Sequence, residues 1–148
     1  PQSEWNLYVD PEASKIVYES GIPMTALGLD VAAHFDVDFT EEEIKSLEDS
    51  EKKEAGFLRQ AIRFNGNRGF DAYCTVIDCM AVAYAIDSSL VQTMKTRVGV
   101  ETKDGLTLGM TVVDRRHHHV WENLPIIEIG CDVDYERFLK LVLELVLQ

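Results

Sequence analysis

The run from Asp10 to Val31 most constrains the fold. In "DPEASKIVYES" (10–20), Asp10 is a suitable N-cap, Pro11 suits the first helical position, and Glu12 puts negative charge in the first turn. The segment reads as a helix, with Ile16 and Val17 facing inward and Gly21 ending it. "IPMTALGLDV" follows and is apolar nearly throughout. A strand with one wet face alternates apolar and polar residues. A near-continuous apolar strand after a helix points to a parallel sheet covered on both faces. The fold class expected is therefore α/β.

Further along, Thr40-Glu41-Glu42-Glu43 forms a capping box ahead of a helix to about Asp49. A second helix is expected over 51–64, with Phe57, Leu58, Ala61 and Ile62 on one face. "FNGNRGFDAY" (64–73) reads as a loop, and the apolar run "VIDCMAVAYAID" (76–87) carries a helix over 78–87. "TRVGVETKDGLTLGMTVVD" reads as two strands joined at Lys103-Asp104-Gly105. "PIIEIGCDV" is another strand. Asp134 then caps a final helix whose apolar stripe is Phe138, Leu139, Val142, Leu145 and Val146. No repeat or low-complexity linker interrupts the chain, which reads as a single domain over 1–148.

Charge excludes some functions. The chain carries 26 acidic and 14 basic residues, a formal charge of −12. That argues against nucleic acid or an anionic membrane surface as partner. Part of the excess lies between Asp36 and Glu54, which reads as a solvated face. Three cysteines without a C-x-x-C pair fit reduced thiols and a cytoplasmic setting. No window reaches the ~18 apolar residues a membrane span needs.

Several residues are candidates for chemistry. His117-His118-His119 alternate in direction if extended, so they converge poorly on one metal, and an exposed loop is the expectation. Asp36/Asp38 and Asp132/Asp134 are D-x-D pairs able to bind a hard cation, but each precedes an expected helix, and capping is the favoured role. Glu4-Trp5-Asn6 combines a carboxylate, a ring and an amide before an apolar, strand-like stretch. The set suits a sugar, with hydroxyls bonded by Glu4 and Asn6 and a face covered by Trp5, although an ordinary surface segment has the same pattern. Asp78 stands alone ahead of an apolar helix. It is either that helix's N-cap, without a capping box, or a site residue.

Taken in order, these segments resemble the inosine–uridine nucleoside hydrolase family. "SEWNLYVDPEASKIVYESGIPMTALGLDV" is similar to the family's E-[FY]-N and D-P-E-A-A-x-I-V-F-x-S-G-I-P patterns. "IDCMAVAYAIDSSL" resembles H-D-P-x-A-V-A-Y-L-I-D-P-S-L, and "VGVETKDGLTLGMTVVD" resembles V-x-V-E-T-x-G-x-x-T-x-G-M-T-V-V-D. The resemblance spans nearly the whole chain. It implies part of an open α/β sheet with flanking helices and a hairpin near the end. It also implies an enzyme that cleaves the N-glycosidic bond of ribonucleosides to ribose and free base. In that family a Ca²⁺ ion holds the attacking water and the ribose hydroxyls. Glu4 and Asn6 match residues that bind the ribose, Trp5 takes the place of the aromatic between them, and Asp78 matches a Ca²⁺ ligand.

Two departures limit what the resemblance implies. The family's D-T-D-P-G-x-D-D motif, which supplies most metal carboxylates and the general base, is not in this sequence. The chain is therefore expected to be a C-terminal portion without activity of its own. It would be completed by an N-terminal half or covered by self-association. The family's His before the metal Asp is Ile77 here, and the Pro after it is Cys79. Isoleucine can neither donate a proton nor accept a hydrogen bond. The alternative is a non-catalytic remnant of the family that binds nucleoside or sugar, or that serves as an interaction subunit.

Overall fold

A computed structural model of the chain describes residues 3–33, 36–118 and 120–148. It divides into two compact units, one of Pro1–Gly28 with Thr93–Cys131 and one of Leu29–Gln92 with Asp132–Gln148.

The first unit opens with two helices. α1 (Trp5–Val9) occupies the stretch expected to be strand-like. α2 (Pro11–Glu19) has the expected cap, Asp10 accepting a hydrogen bond from the Ala13 amide at 2.9 Å. Gly21 follows in the left-handed region at φ 75°, a conformation glycine adopts at little cost. Ile16 and Val17 do not face inward; they are 71% and 54% exposed. A helix buries its apolar stripe only where another layer covers it, and Pro11 is the only buried residue of α2.

The long apolar strand after α2 is mostly absent. β1 (Thr25–Ala26) is two residues long, and α3 (Leu29–Ala32) takes the rest of the run, with Val31 and Ala32 buried. An apolar run without alternation fits a buried helix as well as a buried strand. β2 (Val91–Val100), β3 (Thr111–Asp114) and β4 (Ile126–Val133) complete a sheet in the order β1-β4-β2-β3. The parallel pairing expected is present: Thr25 aligns with Glu128 and Ala26 with Ile129. β2 and β3 pair antiparallel, Arg97 opposite Asp114 and Val100 opposite Thr111.

The hairpin between β2 and β3 is not a tight turn at Lys103-Asp104-Gly105. Past Val100, the Glu101 amide donates to Met110 O at 2.9 Å and Gly109 N donates to Glu101 O at 2.8 Å. Two residues thus oppose one, and the first is a glycine at φ 76°. This is a G1-type bulge, and it bends the strand before the tip.

Beyond β3, Asp114 anchors the chain. Its side chain is 2% exposed and accepts from Arg116 Nε at 2.9 Å and from the Trp121 amide at 2.8 Å. Arg116 in turn lies 5.4 Å over the Trp121 ring. These bonds, the arginine's first, hold the Asp114 carboxyl well below the usual carboxylate range. A depressed folded pKa contributes stability above the unfolded value, roughly 3.9, that is lost as pH falls below it. Urea unfolding from pH 7 to pH 2 should therefore show an acid loss of stability that Asp114→Asn flattens. An acid limb identical in the two proteins would refute this role.

The second unit is helical. α4 (Glu41–Asp49) carries the expected capping box: Glu43 N donates to Thr40 Oγ1 at 3.2 Å and Thr40 N to Glu43 Oε2 at 2.8 Å. α5 (Lys53–Gly66) buries Ala55 and Leu58, but Phe57 points outward at 76% exposure. Phe57 is one residue, hence about 100°, from the buried Leu58. α6 spans Cys79–Ile86 and α7 spans Tyr135–Leu147. α7 buries Tyr135, Phe138, Leu139, Val142 and Leu143. Leu143, not Leu145, completes the i, i+3, i+4, i+7, i+8 stripe from Tyr135, and Leu145 is 48% exposed. Tyr135 donates from its hydroxyl to Ala32 O at 3.0 Å and meets Tyr73 edge-on, ring centroids 6.2 Å apart.

Candidate functional site

The two groups of site residues lie in different units. Glu4, Trp5 and Asn6 lie at the start of α1. Asp78 stands at the start of α6 in the other unit.

Glu4 is half-buried at the N-cap position of α1, yet its carboxylate makes no capping bond. It accepts instead from Asn6 Nδ2 at 2.9 Å. That bond uses one carboxylate oxygen and one amide hydrogen. Among the described residues the second carboxylate oxygen, the amide carbonyl and the other amide hydrogen remain available, a mixed donor and acceptor set of the kind a diol needs. Trp5 is 72% exposed beside them. Sequence reading missed Tyr8. A strand would put residues 5 and 8 on opposite faces, whereas a helix puts i and i+3 together. Here the Trp5 and Tyr8 ring centroids are 6.3 Å apart and the planes are tilted by 33°.

Asp78 is not a cap. An N-cap residue ordinarily has extended dihedrals that turn its side chain back to the first amides. Asp78 is already helical, at φ −69° and ψ −19°, and makes no side-chain capping bond. Backbone carbonyls take the amides instead: Cys79 N donates to Val76 O at 2.9 Å and Met80 N to Ile77 O at 3.2 Å. The Asp78 carboxylate is exposed and has no hydrogen bond or salt bridge among the described residues. A hard cation takes such an oxygen donor readily, and the residue fits the role of a Ca²⁺ ligand. It is one ligand only. Among the described residues no three His, Cys, Asp or Glu side chains gather to hold a metal.

The neighbours of Asp78 limit its chemistry. Ile77 is half-buried and brings no polar atom. Desolvation and then the Asp78 charge push the Cys79 thiol pKa up. A thiol so raised is protonated at neutral pH and is a poor nucleophile.

The other candidates resolve into structural roles. Asp134 caps α7, accepting from Arg137 N at 3.2 Å. Asp132 caps no helix and accepts from its neighbour Val133 N at 2.9 Å. Asp38 does cap, but at a distance in sequence. It accepts from Tyr73 N at 2.7 Å and Ala72 N at 3.0 Å, closing the 3₁₀ turn Ala72–Thr75. Asp36 is not the cap of α4, whose N-cap is Thr40. His117 and His118 are exposed in the loop after β3, and His119 lies outside the described residues. No helix among the described residues is long and apolar enough to cross a membrane.

Comparison with known proteins places the chain in a family. A family model described as inosine–uridine preferring nucleoside hydrolase matches residues 1–140. The chain is 32% identical to the pyrimidine-specific ribonucleoside hydrolase RihA of Photobacterium profundum, over 97% of its own length and 47% of the relative's. It is 34% identical to the RihA of Escherichia fergusonii, with the same coverage of each chain, 97% and 47%. Among solved structures, a purine-preferring ribonucleoside hydrolase from Gardnerella vaginalis superposes with a TM-score of 0.72 at 30% identity, over 97% of this chain and 46% of that one. A plant nucleoside hydrolase shares the fold with a TM-score of 0.78 at 23% identity, over 97% of this chain and 47% of that one. The chain thus spans about half the length of the relatives it matches, and it belongs to the inosine–uridine preferring nucleoside hydrolase family.

Proposed function

We propose that the chain is the C-terminal portion of a Ca²⁺-dependent ribonucleoside N-ribohydrolase, which converts a ribonucleoside and water to ribose and a free base. The observation that carries this is the Asp78 carboxylate, exposed and without a hydrogen bond or ion pair among the described residues, at the head of an apolar helix whose first two amides already donate to backbone carbonyls. An unpartnered anion there adds no hydrogen bond to the helix, only a weak attraction to the positive end of its dipole. A cation gives it a purpose.

In this reading Asp78 is one of the oxygen donors to the metal. When bound, the ion would polarise water and ease its deprotonation near neutral pH. Glu4 and Asn6, joined by their own hydrogen bond, hold the ribose at its 5′ end, and Trp5 covers part of it. The carboxylates also favour the positive charge that develops on the sugar as the base departs. Ribose is the shared part of the substrates named for the pyrimidine-specific and purine-preferring relatives. It is accordingly the part assigned to these residues. Departure of the base needs help from a group other than residue 77, because an isoleucine side chain cannot protonate it.

One observation favours a second reading, a non-catalytic nucleoside-binding member of the family. Ile77 brings no titratable group beside Asp78. Either way, the purified 148-residue chain is expected to release no ribose from inosine or uridine with Ca²⁺ present. Ca²⁺-dependent release by this chain would overturn that expectation. In the complete protein, calorimetry that finds nucleoside bound without turnover would favour the second reading.

A further inference from the structure

We infer that the β2–β3 hairpin loop is the seat that sets the position of α1, with Gly109 as its positioning residue. The functional weight of this rests on the sugar-binding role proposed for Glu4, Trp5 and Asn6.

α1 cannot hold its own place. It has five residues, none of them buried. A single helical turn is an unfavourable nucleus, and isolated helices shorter than about 12 residues are marginal in water. Something outside the helix must hold it, and the hairpin loop does so at two adjacent points. Ser3 Oγ, one residue before Glu4, donates to Leu108 O. At Gly109 the two backbones touch. A Cβ there would lie 2.8 Å from Tyr8 Cα and 2.9 Å from both Leu7 O and Tyr8 N. These are main-chain atoms, so no side chain can swing aside to make room. The other positive-φ glycines, Gly21, Gly69 and Gly105, have nothing within 4 Å of such a Cβ. Gly109 therefore meets two demands at once: the bulge needs its φ of 76°, and α1 needs its missing side chain.

Gly109→Ala is the direct test, with Gly105→Ala as control. Both replace a positive-φ glycine, but only the first pushes on α1. In the 148-residue chain, Gly109→Ala is expected to speed hydrogen exchange at the Tyr8 amide, which donates to Glu4 O at 2.9 Å, while Gly105→Ala leaves it unchanged. In the complete protein, Gly109→Ala should raise KM for a nucleoside about tenfold with kcat within about threefold, the sign of lost ground-state binding. Should alanine at 109 unfold the first unit, Ser3→Ala removes only the tie to Leu108. It is expected to speed Tyr8 exchange while amides of α7 stay protected. Unchanged Tyr8 exchange in both variants overturns the seat. Faster exchange with an unchanged KM, where Glu4→Ala does raise KM, overturns its importance for binding. Faster exchange with KM unchanged in Glu4→Ala as well supports the seat and overturns the sugar-binding role instead.

Discussion

If the complete protein has the activity proposed above, Asp78→Asn is expected to lower its kcat/KM by about three orders of magnitude, the scale on which removal of one electrostatic contact to the reacting centre is felt. Its thermal unfolding in the absence of Ca²⁺ should stay near that of the parent. The second half of the expectation follows from geometry. The side chain is exposed, makes no capping bond and has no ion pair among the described residues, so the fold loses little beyond a weak attraction to the dipole of α6 when its charge goes. Surface substitutions of this kind shift stability by no more than about 0.5 kcal/mol. The first half follows from the assignment of that free oxygen to the metal. Loss of activity with a weaker response to added Ca²⁺, in a protein that unfolds like the parent, separates a ligand from a structural residue. A lower melting temperature with activity intact would return Asp78 to a structural role.

Phe138→Ala should have the largest effect on stability, a loss of about 3–5 kcal/mol in urea unfolding. The ring is 0% exposed and meets Tyr135 edge-on, centroids 5.2 Å apart and planes at 63°. Deleting it removes transfer energy, leaves a cavity and breaks the run from Tyr73 through Tyr135. Leu145→Ala on the same helix is the comparison. Its side chain is 48% exposed, and a loss well under that of Phe138→Ala is expected. Equal losses at the two positions would contradict the burial pattern of α7.

Features whose cause is local were legible in the sequence. Asp10 caps α2, Thr40 and Glu43 close a capping box, and Asp134 caps α7, because a cap involves residues only three apart. Features set by partners distant in the chain were not legible. Asp38 looked like the cap of the helix that follows it, but its amides come from Ala72 and Tyr73. The run after Gly21 looked like one long strand, but apolar residues serve a short edge strand and a buried helical turn equally well. Glu4, Trp5, Asn6 and Asp78 were visible as residue types, and family resemblance gave them roles. Their geometry was not visible, because α1 read as extended and Asp78 as a cap. The departure at Ile77 could be read from sequence alone, since it is a matter of identity rather than placement.

The bulge at Gly109 divides the hairpin into regions of unlike tolerance. At its tip Leu106 is 91% exposed and Gly105 has open space around it. Exposed tips of this kind accept insertions, deletions and tags at little cost. Three residues on, the chain touches the main chain of another helix and cannot admit one carbon. Length can therefore vary at the tip of this hairpin across related proteins, and be varied by design, without moving α1. The base of the same loop has no such freedom.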